Sequence, residues 1–286
     1  MQVSQFPRRK YLQGATPIEA MPRLSKVLGG KVNLFIKRDD LLPGTAGGNK
    51  TRKLEFCLAD ALAKGADTII TCGAIQSNHC RLTLAWSVIE ELDCHLILEA
   101  EAVAASYKDD ASGNNFLFKL LGAKSTTMVS AGSDLMAKME TKAAELKASG
   151  KNPYIIPVGA SNAIGTLGYV VCAEEIINQL NEARLIIDHI IVPSGSAGTH
   201  SGMVVGMKGC NANIPISGMN VSRNKQLQEE IVLKLAMETA EKLDLKDAIS
   251  AADIVCFDDY VGAGYSLPTD SMVEAVKLFA RNEAIL

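Results

Sequence analysis

The sequence of 286 residues predicts an α/β protein with two domains, each built on a mostly parallel sheet flanked by helices. Short β-branched runs alternate along the whole chain with longer segments that place an apolar residue every three or four positions. In addition, glycine-rich loops directly follow several of these runs. A repeated succession of strand, loop and helix is typical of parallel sheets that helices cover on both faces.

Eight runs are predicted as strands, and they follow one another through the chain: 32–36, 68–71, 95–99, 125–129, 153–156, 186–192, 214–219 and 254–257. Helices are expected between most of them. One is indicated over 54–62 by an apolar face that Gly65 closes. Another is indicated over 133–149 by a Ser-Asp start and by Gly150 beyond its end.

The division into domains is predicted from the order of these runs, because no linker or low-complexity tract marks a boundary. Four of the predicted strands fall between residues 51 and 159. We therefore expect a small domain over 51–159, inserted into a large domain formed by 1–50 and 160–286. Ligands of such proteins bind beyond the carboxyl ends of the strands, so candidate site residues are expected in the loops that follow the strands.

Composition and charge argue against several classes of partner. The formal net charge of −3 provides no basic surface for nucleic acid or for acidic membranes. The seven cysteines are scattered without a CxxC spacing, which argues against a disulfide framework or a structural zinc site. No signal peptide and no apolar run of about 20 residues is recognisable, so we expect a cytoplasmic protein that acts on a small molecule without a metal.

The first candidate loop, residues 44–49, is rich in glycine and leads from a polar segment into a predicted helix. Adjacent glycines allow backbone shapes that other residues resist, so Lys50 can be held at an unusual angle at the helix start. The positive helix end and the nearby Arg52 and Lys53 favour the neutral amine, the form that Schiff-base chemistry needs. An ordinary turn with a solvated lysine is the alternative, and spacing alone leaves both open.

The second loop, residues 72–79, connects a predicted strand with a predicted helix. Ser77 or Asn78 is suited to cap that helix, and the free N–H groups of its first turn also suit a carboxylate. Gln76 and His79 make the loop more polar than a cap requires. Helix capping alone stays open as the alternative interpretation.

The third loop, residues 193–202, follows the predicted strand 186–192 with small residues that expose a row of backbone N–H groups at a helix start. This arrangement is typical of a phosphate cradle. A dinucleotide fingerprint is the nearest competitor, but Gly195, Gly198 and Gly202 do not fit its spacing. A merely tight turn stays open as the alternative.

A fourth glycine-rich loop, residues 257–265, offers Tyr260 and Tyr265 near the end of a predicted strand. Taken singly, each tyrosine is more typical of packing than of chemistry. Taken together, the four loops bring an amine, an anion cradle and polar capping groups to the carboxyl ends of strands. This combination indicates an enzyme site, although none of the loops would indicate one alone.

These motifs also resemble those of a known enzyme family. The matching runs are GGNKTRKLEF at 47–56, GAIQSNHCR at 73–81, IPVGASNAIGTLGY at 156–169, SGSAGTHSG at 194–202 and GYSLPTDSMVEAVKL at 264–278. The earlier runs ATPIEAMPRLSKVLG and FIKRDDL match as well. In this order they resemble the D-cysteine desulfhydrase / 1-aminocyclopropane-1-carboxylate deaminase family of pyridoxal-phosphate enzymes, over essentially the whole chain.

The resemblance implies a tryptophan-synthase-β-like fold (fold type II) and pyridoxal 5'-phosphate as cofactor. Lys50 would carry the cofactor and would be catalytic together with Ser77. The residues that would bind the cofactor are Lys50, Asn78, Gly195, Ser196, Ala197, Gly198 and Thr199. The residues that would meet the substrate are Ser77, Asn78, His79 and Tyr265.

The activity that the resemblance implies is the β-elimination of a small amino acid. The sequence QSNH at 76–79 is similar to that of desulfhydrase-like members and of sulfo-lyases acting on cysteate, whereas deaminases typically carry QSNQT. We therefore expect a lyase that converts D-cysteine to pyruvate, ammonia and hydrogen sulfide. The deaminase and sulfo-lyase activities are the alternatives, and the family also implies a homodimer.

The sequence departs from the family at its C-terminal end and in one loop. Family members continue beyond the equivalent of Leu286 with a helix, a strand and a loop, which supply a second active-site tyrosine and the side chain beside the pyridine nitrogen. Ala160 stands where glycine is usual. We expect one of two explanations for this difference. The sequence is either part of a longer active enzyme, or it is a short form with an impaired site, that is, a non-catalytic protein that retains the fold.

Overall fold

The computed structural model describes residues 1–100 and 112–286. The strands in this part of the chain are β1 Ile18–Ala20, β2 Phe35–Lys37, β3 Thr68–Ala74, β4 Asp93–Glu99, β5 Ser125–Val129, β6 Pro153–Ile156, β7 Ile190–Ser194, β8 Ile216–Asn220 and β9 Cys256–Phe257. The α-helices are α1 Pro22–Val27, α2 Lys50–Ala63, α3 Asn78–Ile89, α4 Gly113–Leu120, α5 Leu135–Ala148, α6 Ala163–Ala183, α7 Gly198–Gly209, α8 Lys225–Lys242 and α9 Asp270–Glu283. None of these helices has both the length and the apolar character that a membrane span needs.

The strands form three sheets within the described residues. β1 and β2 pair antiparallel, whereas β5-β4-β3-β6 and β7-β8-β9 are parallel sheets in these orders. β3 is buried on both faces, as its continuous apolar run requires. Ile69 packs towards Leu54 of α2 and Leu82 of α3, and its neighbour Ile70 packs towards Met139 of α5 on the opposite face.

The three-stranded sheet is covered by α6, α7 and α8, and two glycines allow α6 and α7 to approach closely. A Cβ at Gly202 would lie 2.5 Å from the Cβ of Tyr169, and one at Gly206 would collide with the Cβ of Ala173. Any larger residue at these positions would separate the helices. The contact therefore fixes α7, and the loop that precedes it, against α6.

A buried network of charged side chains attaches α2 to α6. The guanidinium of Arg52 donates to both carboxylate oxygens of Asp39, at 2.8 and 2.9 Å, and to both of Glu175, at 2.9 Å. The Lys37 ammonium contacts Glu175 at 3.2 Å, and the Tyr169 hydroxyl donates to Asp39 at 2.9 Å. Two cations balance two carboxylates, so none of the four is an uncompensated buried charge. The first turns of α2 are thereby held in place.

The predicted α/β class, with parallel sheets flanked by helices, is confirmed. The predicted strands 125–129 and 153–156 coincide with β5 and β6. The prediction 32–36 was wrong in its bounds, because β2 covers Phe35–Lys37 and is set by its pairing with β1, Ile18–Ala20. A three-residue strand has too few positions to show an alternating pattern, so β1 was not predicted at all.

The division into two domains stays a prediction. The four-stranded sheet comes from within the predicted small domain 51–159, of which residues 101–111 lie outside the described residues. The other two sheets come from 1–50 and 160–286. α2 contributes Leu54 to the core around the four-stranded sheet and Phe56 to the core around the three-stranded sheet, so this helix lies between the two cores.

Candidate active site

A cavity of about 960 Å³ lies at the carboxyl ends of β3 and β7. The predicted site residues that line it are Lys50, Ser77, Asn78, His79, Gly195, Ser196, Ala197, Thr199 and Tyr265. Gly198 is not part of the lining; it begins α7 against Lys53 and Ser161. The structure therefore brings residues from four separate loops to one cavity, while their individual roles stay predictions.

Lys50 is the first residue of α2, and its side chain is half-buried in the cavity wall. Its Nζ donates to Oδ1 of Asn49 at 2.8 Å, and burial lowers the pKa of the amine to about 8. Asn49 Nδ2 donates in turn to Oγ1 of Thr199 at 3.1 Å, which links the loop 44–49, the lysine loop, to the start of α7. An amine that is neutral at mildly alkaline pH is a nucleophile for an aldehyde.

The loop between β7 and α7 has the shape of an anion cradle. The N–H groups of Thr199 and His200 lie in the first turn of α7, where the helix offers them no acceptor. Ala197 turns the chain into the helix with a positive φ of 72°. A Cβ at Gly159 would collide with Oγ of Ser196, so glycine is required where the facing loop approaches. The concave backbone and the positive helix end suit a phosphate group.

Lys53 provides a second amine directly behind this cradle, although it does not itself line the cavity. The sequence alone assigns to Lys53 only an electrostatic effect on Lys50. The residue is 1% exposed, and its Nζ contacts the Gly159 carbonyl at 3.2 Å and Ser161 Oγ at 3.4 Å. A Cβ at Gly198 would lie 2.8 Å from this Nζ. Burial and the nearby charge of Lys50 lower the pKa of Lys53 well below its usual value. No carboxylate pairs with Lys53 among the described residues, so a bound phosphate would supply its counter-charge.

The turn before α3 presents a hydroxyl and helix N–H groups to the same cavity. Ser77 caps α3, and its Oγ accepts from the N–H of Cys80 at 3.1 Å, so its own proton is available for another acceptor. The N–H groups of Asn78 and His79 have no acceptor within the helix. Together with the Ser77 hydroxyl these N–H groups are suited to a carboxylate, as predicted from the sequence.

The side chain of His79 points into the protein core. It is 3% exposed, and its Nε2 lies 2.7 Å from Oγ1 of Thr71. Burial, followed by the charges of Lys50 and Lys53, lowers the pKa of the imidazole well below its usual value. A neutral, hydrogen-bonded imidazole is a packing group. The contact of His79 with substrate stays a prediction, and only its main-chain N–H is placed to make that contact.

Two further polar side chains lie at the rim of the cavity. Tyr265 lines it with 54% of its surface exposed. Arg223, which was not predicted, lines the cradle side and donates from its Nη1 to the Gly195 carbonyl at 2.9 Å. Only the folded chain shows this role, because Arg223 follows β8 and is distant in sequence from the loop that it supports.

The combination fits a cofactor that carries an aldehyde and a phosphate. The Lys50 amine matches the aldehyde, and the cradle with Lys53 matches the phosphate. Lys53 is informative here, since its buried amine has only the Gly159 carbonyl and the Ser161 hydroxyl as partners and no carboxylate among the described residues. Neither the Lys50 amine nor the cradle would identify the ligand alone. The two are connected by α2, because this helix carries both Lys50 and Lys53 within its first turn.

Comparisons with known proteins agree with this chemistry. A family model described as pyridoxal-phosphate dependent enzyme matches residues 10–286. The crystal structure of an ACC deaminase homologue is 34% identical, with a TM-score of 0.88 over 99% of this chain and 83% of that chain. An L-serine ammonia-lyase from Rhizomucor miehei is 19% identical, with a TM-score of 0.63 over 95% of this chain and 82% of that one. A hydrogen sulfide-producing enzyme from Fusobacterium nucleatum is 17% identical, with a TM-score of 0.61 over 96% and 83%.

The chain therefore belongs to the pyridoxal-phosphate dependent enzymes. Within them it is a member of the ACC deaminase / D-cysteine desulfhydrase family that its motifs resemble. The predicted cofactor, pyridoxal 5'-phosphate, and the predicted fold type II are thereby confirmed. The two structures below 25% identity support the fold alone.

The lowered pKa of Lys50 predicts how uptake of the cofactor depends on pH. Only the neutral amine attacks an aldehyde, so the rate at which ligand-free protein takes up pyridoxal phosphate should rise with pH and level off above about 8. The measurement is the initial change in cofactor absorbance between pH 6 and pH 10, with Nα-acetyllysine as the exposed reference amine. A rate that keeps rising towards the ordinary lysine pKa of about 10.4, as for the reference, would contradict a perturbed Lys50.

Proposed function

We propose that the protein is a lyase that eliminates the β-substituent of a small amino acid, with D-cysteine as its substrate. The observation that carries this proposal is the cavity shared by the Lys50 amine, the Ser77 turn and the phosphate cradle. The 34% identity to an ACC deaminase homologue supports a lyase or deaminase. Within that chemistry, the sequence QSNH at 76–79 favours D-cysteine.

In this proposal the cavity divides into two binding positions. The N–H groups of Asn78 and His79 bind the substrate carboxylate, with the Ser77 hydroxyl beside them. The loop from Gly195 to α7 binds the cofactor phosphate through main-chain N–H groups. The phosphate charge favours the protonated form of Lys53, whose Nζ lies beside Gly198, so that this amine donates a charge-assisted hydrogen bond. Both positions use helix N-termini, so main-chain N–H groups supply positive potential to both anions.

Lys50 is the acid–base group of the proposed reaction. When bound, pyridoxal phosphate supplies an electron sink for the negative charge that develops at the substrate α carbon. The neutral Lys50 amine accepts the α proton, and its lowered pKa increases the fraction of the amine that is unprotonated for that purpose. The Cα–H and Cβ–S bonds break, sulfur leaves as hydrogen sulfide, and addition of one water gives pyruvate and ammonia. The balance needs no oxidant or reductant.

A second candidate is the opening of 1-aminocyclopropane-1-carboxylate to 2-oxobutanoate and ammonia. The observation in its favour is the 34% identity to an ACC deaminase homologue over 99% of this chain. In that reaction Ser77, which lines the cavity, would act as nucleophile or proton shuttle rather than only as a carboxylate ligand. The two candidates therefore differ in what they require of one hydroxyl.

The Ser77→Ala variant tests this difference. If D-cysteine is the substrate, the variant should raise KM by about tenfold, since it loses one hydrogen bond to a charged group, and should change kcat little. For cyclopropane opening, kcat itself should fall by a hundredfold or more, on the order of a lost general acid–base group. Pyruvate and 2-oxobutanoate are assayed separately with each amino acid, and sulfite release from cysteate is assayed in parallel.

The matched control is Asp134→Ala, because Asp134 caps α5 in the same way, accepting from Ala137 N–H at 3.0 Å, and does not line the cavity. Both variants should lose about 1 kcal/mol of stability through the missing cap. Only Ser77→Ala should change the kinetics. Absence of pyruvate from D-cysteine in the cofactor-loaded parent protein would refute the proposed substrate, and sulfite from cysteate would establish the sulfo-lyase instead.

A further inference from the structure

Arg81 is a buried arginine of α3 whose guanidinium contacts the lysine loop directly. Its Nη2 donates to the Gly47 carbonyl at 2.8 Å, and its Nη1 donates to Oγ1 of Thr45 at 3.2 Å. Its Nε donates to Oδ1 of Asn114, at the start of α4, at 2.7 Å. The residue is 4% exposed. One planar fork thus joins α3, the lysine loop and the start of α4.

The three acceptors of Arg81 are all neutral oxygens. No carboxylate pairs with it among the described residues, and burial lowers the pKa of its guanidinium. Buried arginines are usually paired with an acid, because the loss of hydration is otherwise only partly offset. An apolar side chain would fill the same space at lower free-energy cost, so packing alone does not account for this arginine.

The loop that Arg81 contacts is the one that determines where Lys50 points. Gly44, Gly47 and Gly48 have φ values of 105°, 67° and 130°, a backbone shape that neither a helix nor a sheet maintains. A Cβ at Gly47 would lie 2.5 Å from the Asp40 carbonyl, so the loop is confined on that side by main chain. The Gly47 carbonyl is held on the other side by Arg81.

The same guanidinium is connected to the turn that precedes α3. The N–H and the Nδ2 of Asn114 donate to the side-chain Oε1 and to the carbonyl of Gln76, both at 2.9 Å. Gln76 directly precedes Ser77, and Arg81 lies one helical turn after it. Through Arg81 and Asn114, the loop that carries the amine is therefore fixed relative to the turn that faces the substrate.

We infer that Arg81 is a positioning residue that holds the lysine loop and the Ser77 turn in one geometry, so that the Lys50 amine and the substrate carboxylate meet the cofactor in register. The inference rests on the proposed function of Lys50 and Ser77. Arg81 does not line the cavity, and its guanidinium is directed to Asn114, Thr45 and the Gly47 carbonyl, so we assign it no contact with substrate or cofactor. What it contributes is the spacing of three hydrogen bonds, which a single charged nitrogen does not reproduce.

The test compares Arg81→Lys, which keeps the charge and loses the fork, with Arg81→Gln, which loses both. The first readout is the rate at which ligand-free protein takes up pyridoxal phosphate at Lys50, trapped with borohydride and located by peptide mass spectrometry. The second is kcat and KM for D-cysteine. Both variants should lose roughly tenfold or more in uptake rate and in kcat, since misplacement by about 1 Å has effects of this order.

Two further variants keep the test decisive. Arg9→Gln is the control, because Arg9 is an exposed arginine that pairs with Glu90 away from the cavity; it should leave both readouts unchanged. Thr45→Val removes only the Nη1 contact and retains Arg81, so it should fold even if the Arg81 variants do not. Its uptake rate should fall by about threefold, the loss of one ordinary hydrogen bond.

The outcomes separate this inference from the proposed function. Failure of the parent protein to be labelled at Lys50 would refute the function itself. If the parent is labelled and Arg81→Lys is labelled equally fast with an unchanged kcat, charge alone suffices and the positioning role is wrong. Variants that melt at a lower temperature, yet keep the parent uptake rate and kcat below their melting range, would show that Arg81 only stabilises the fold.

Discussion

Replacing Lys50 with alanine is expected to abolish covalent attachment of pyridoxal phosphate and to lower oxo-acid formation by roughly a thousandfold, the contribution of a positioned base. Lys50 lines the cavity, and its lowered pKa suits both the attack on the aldehyde and the removal of a proton. The fold should persist, because alanine is well tolerated at a helix start and only the contact to Asn49 is lost. The measurements are visible absorbance before and after borohydride, peptide mapping and thermal unfolding.

Lys64→Ala is the matched control for this variant. Lys64 follows the last turn of the same helix, and its side chain is 63% exposed beside Asp60. This control should bind cofactor and turn over substrate like the parent protein. If Lys50→Ala still yields a borohydride-trapped cofactor at any single lysine, the assignment of Lys50 is wrong and the labelled peptide identifies the lysine that carries the cofactor.

Replacing Lys53 with methionine is expected to have opposite effects on cofactor binding and on stability. The variant loses a charge-assisted hydrogen bond to the phosphate, which corresponds to about 1.5–3 kcal/mol, or about 10- to 100-fold in the dissociation constant. The ligand-free protein should become more stable, since an unbranched apolar side chain replaces an amine that is buried without a carboxylate partner among the described residues. Both effects are measured on the same preparation, by cofactor titration and by thermal unfolding.

Pyridoxal, which lacks the phosphate, provides the internal control for Lys53→Met. The variant should bind pyridoxal as well as the parent protein does and should be impaired only towards pyridoxal phosphate. If the variant binds both ligands more weakly by the same factor, the Lys53 amine does not contact the phosphate. Trp86, the single tryptophan of the chain, donates from Nε1 to Oγ1 of Thr51 at 3.2 Å, and we expect its fluorescence to change when cofactor binds near the start of α2.

The parts of the fold that the sequence predicts best are those whose signal is local. β5 and β6 are bounded by turn residues, and their bounds are predicted correctly. β2 and β9 are predicted too long at one end, since pairing partners rather than composition decide where these edge segments stop. Only Cys256 and Phe257 of the predicted run 254–257 pair with β8.

The candidate site follows the same distinction. Three parts of the site are predictable, because each lies where a loop leads into a helix: Lys50, Ser77 and the residues around Gly195. Lys53 and Arg81 are not, since a cation on an amphipathic helix is ordinarily a solvated residue and nothing local reveals that it is buried. The GNK motif closely precedes Lys53, and the SNH motif closely precedes Arg81. Closeness to these motifs was therefore the one local sign that either residue belongs to the site.

The glycine contact between α6 and α7 has a thermodynamic consequence for the cradle. Gly202 and Gly206 bring α7 so close to α6 that the first turn of α7 is part of the packed core. The conformational entropy of the cradle backbone is therefore lost when the protein folds, not when the cofactor arrives. Cofactor binding then spends little of its free energy on ordering main chain, so the ligand-free protein is already preorganised for phosphate.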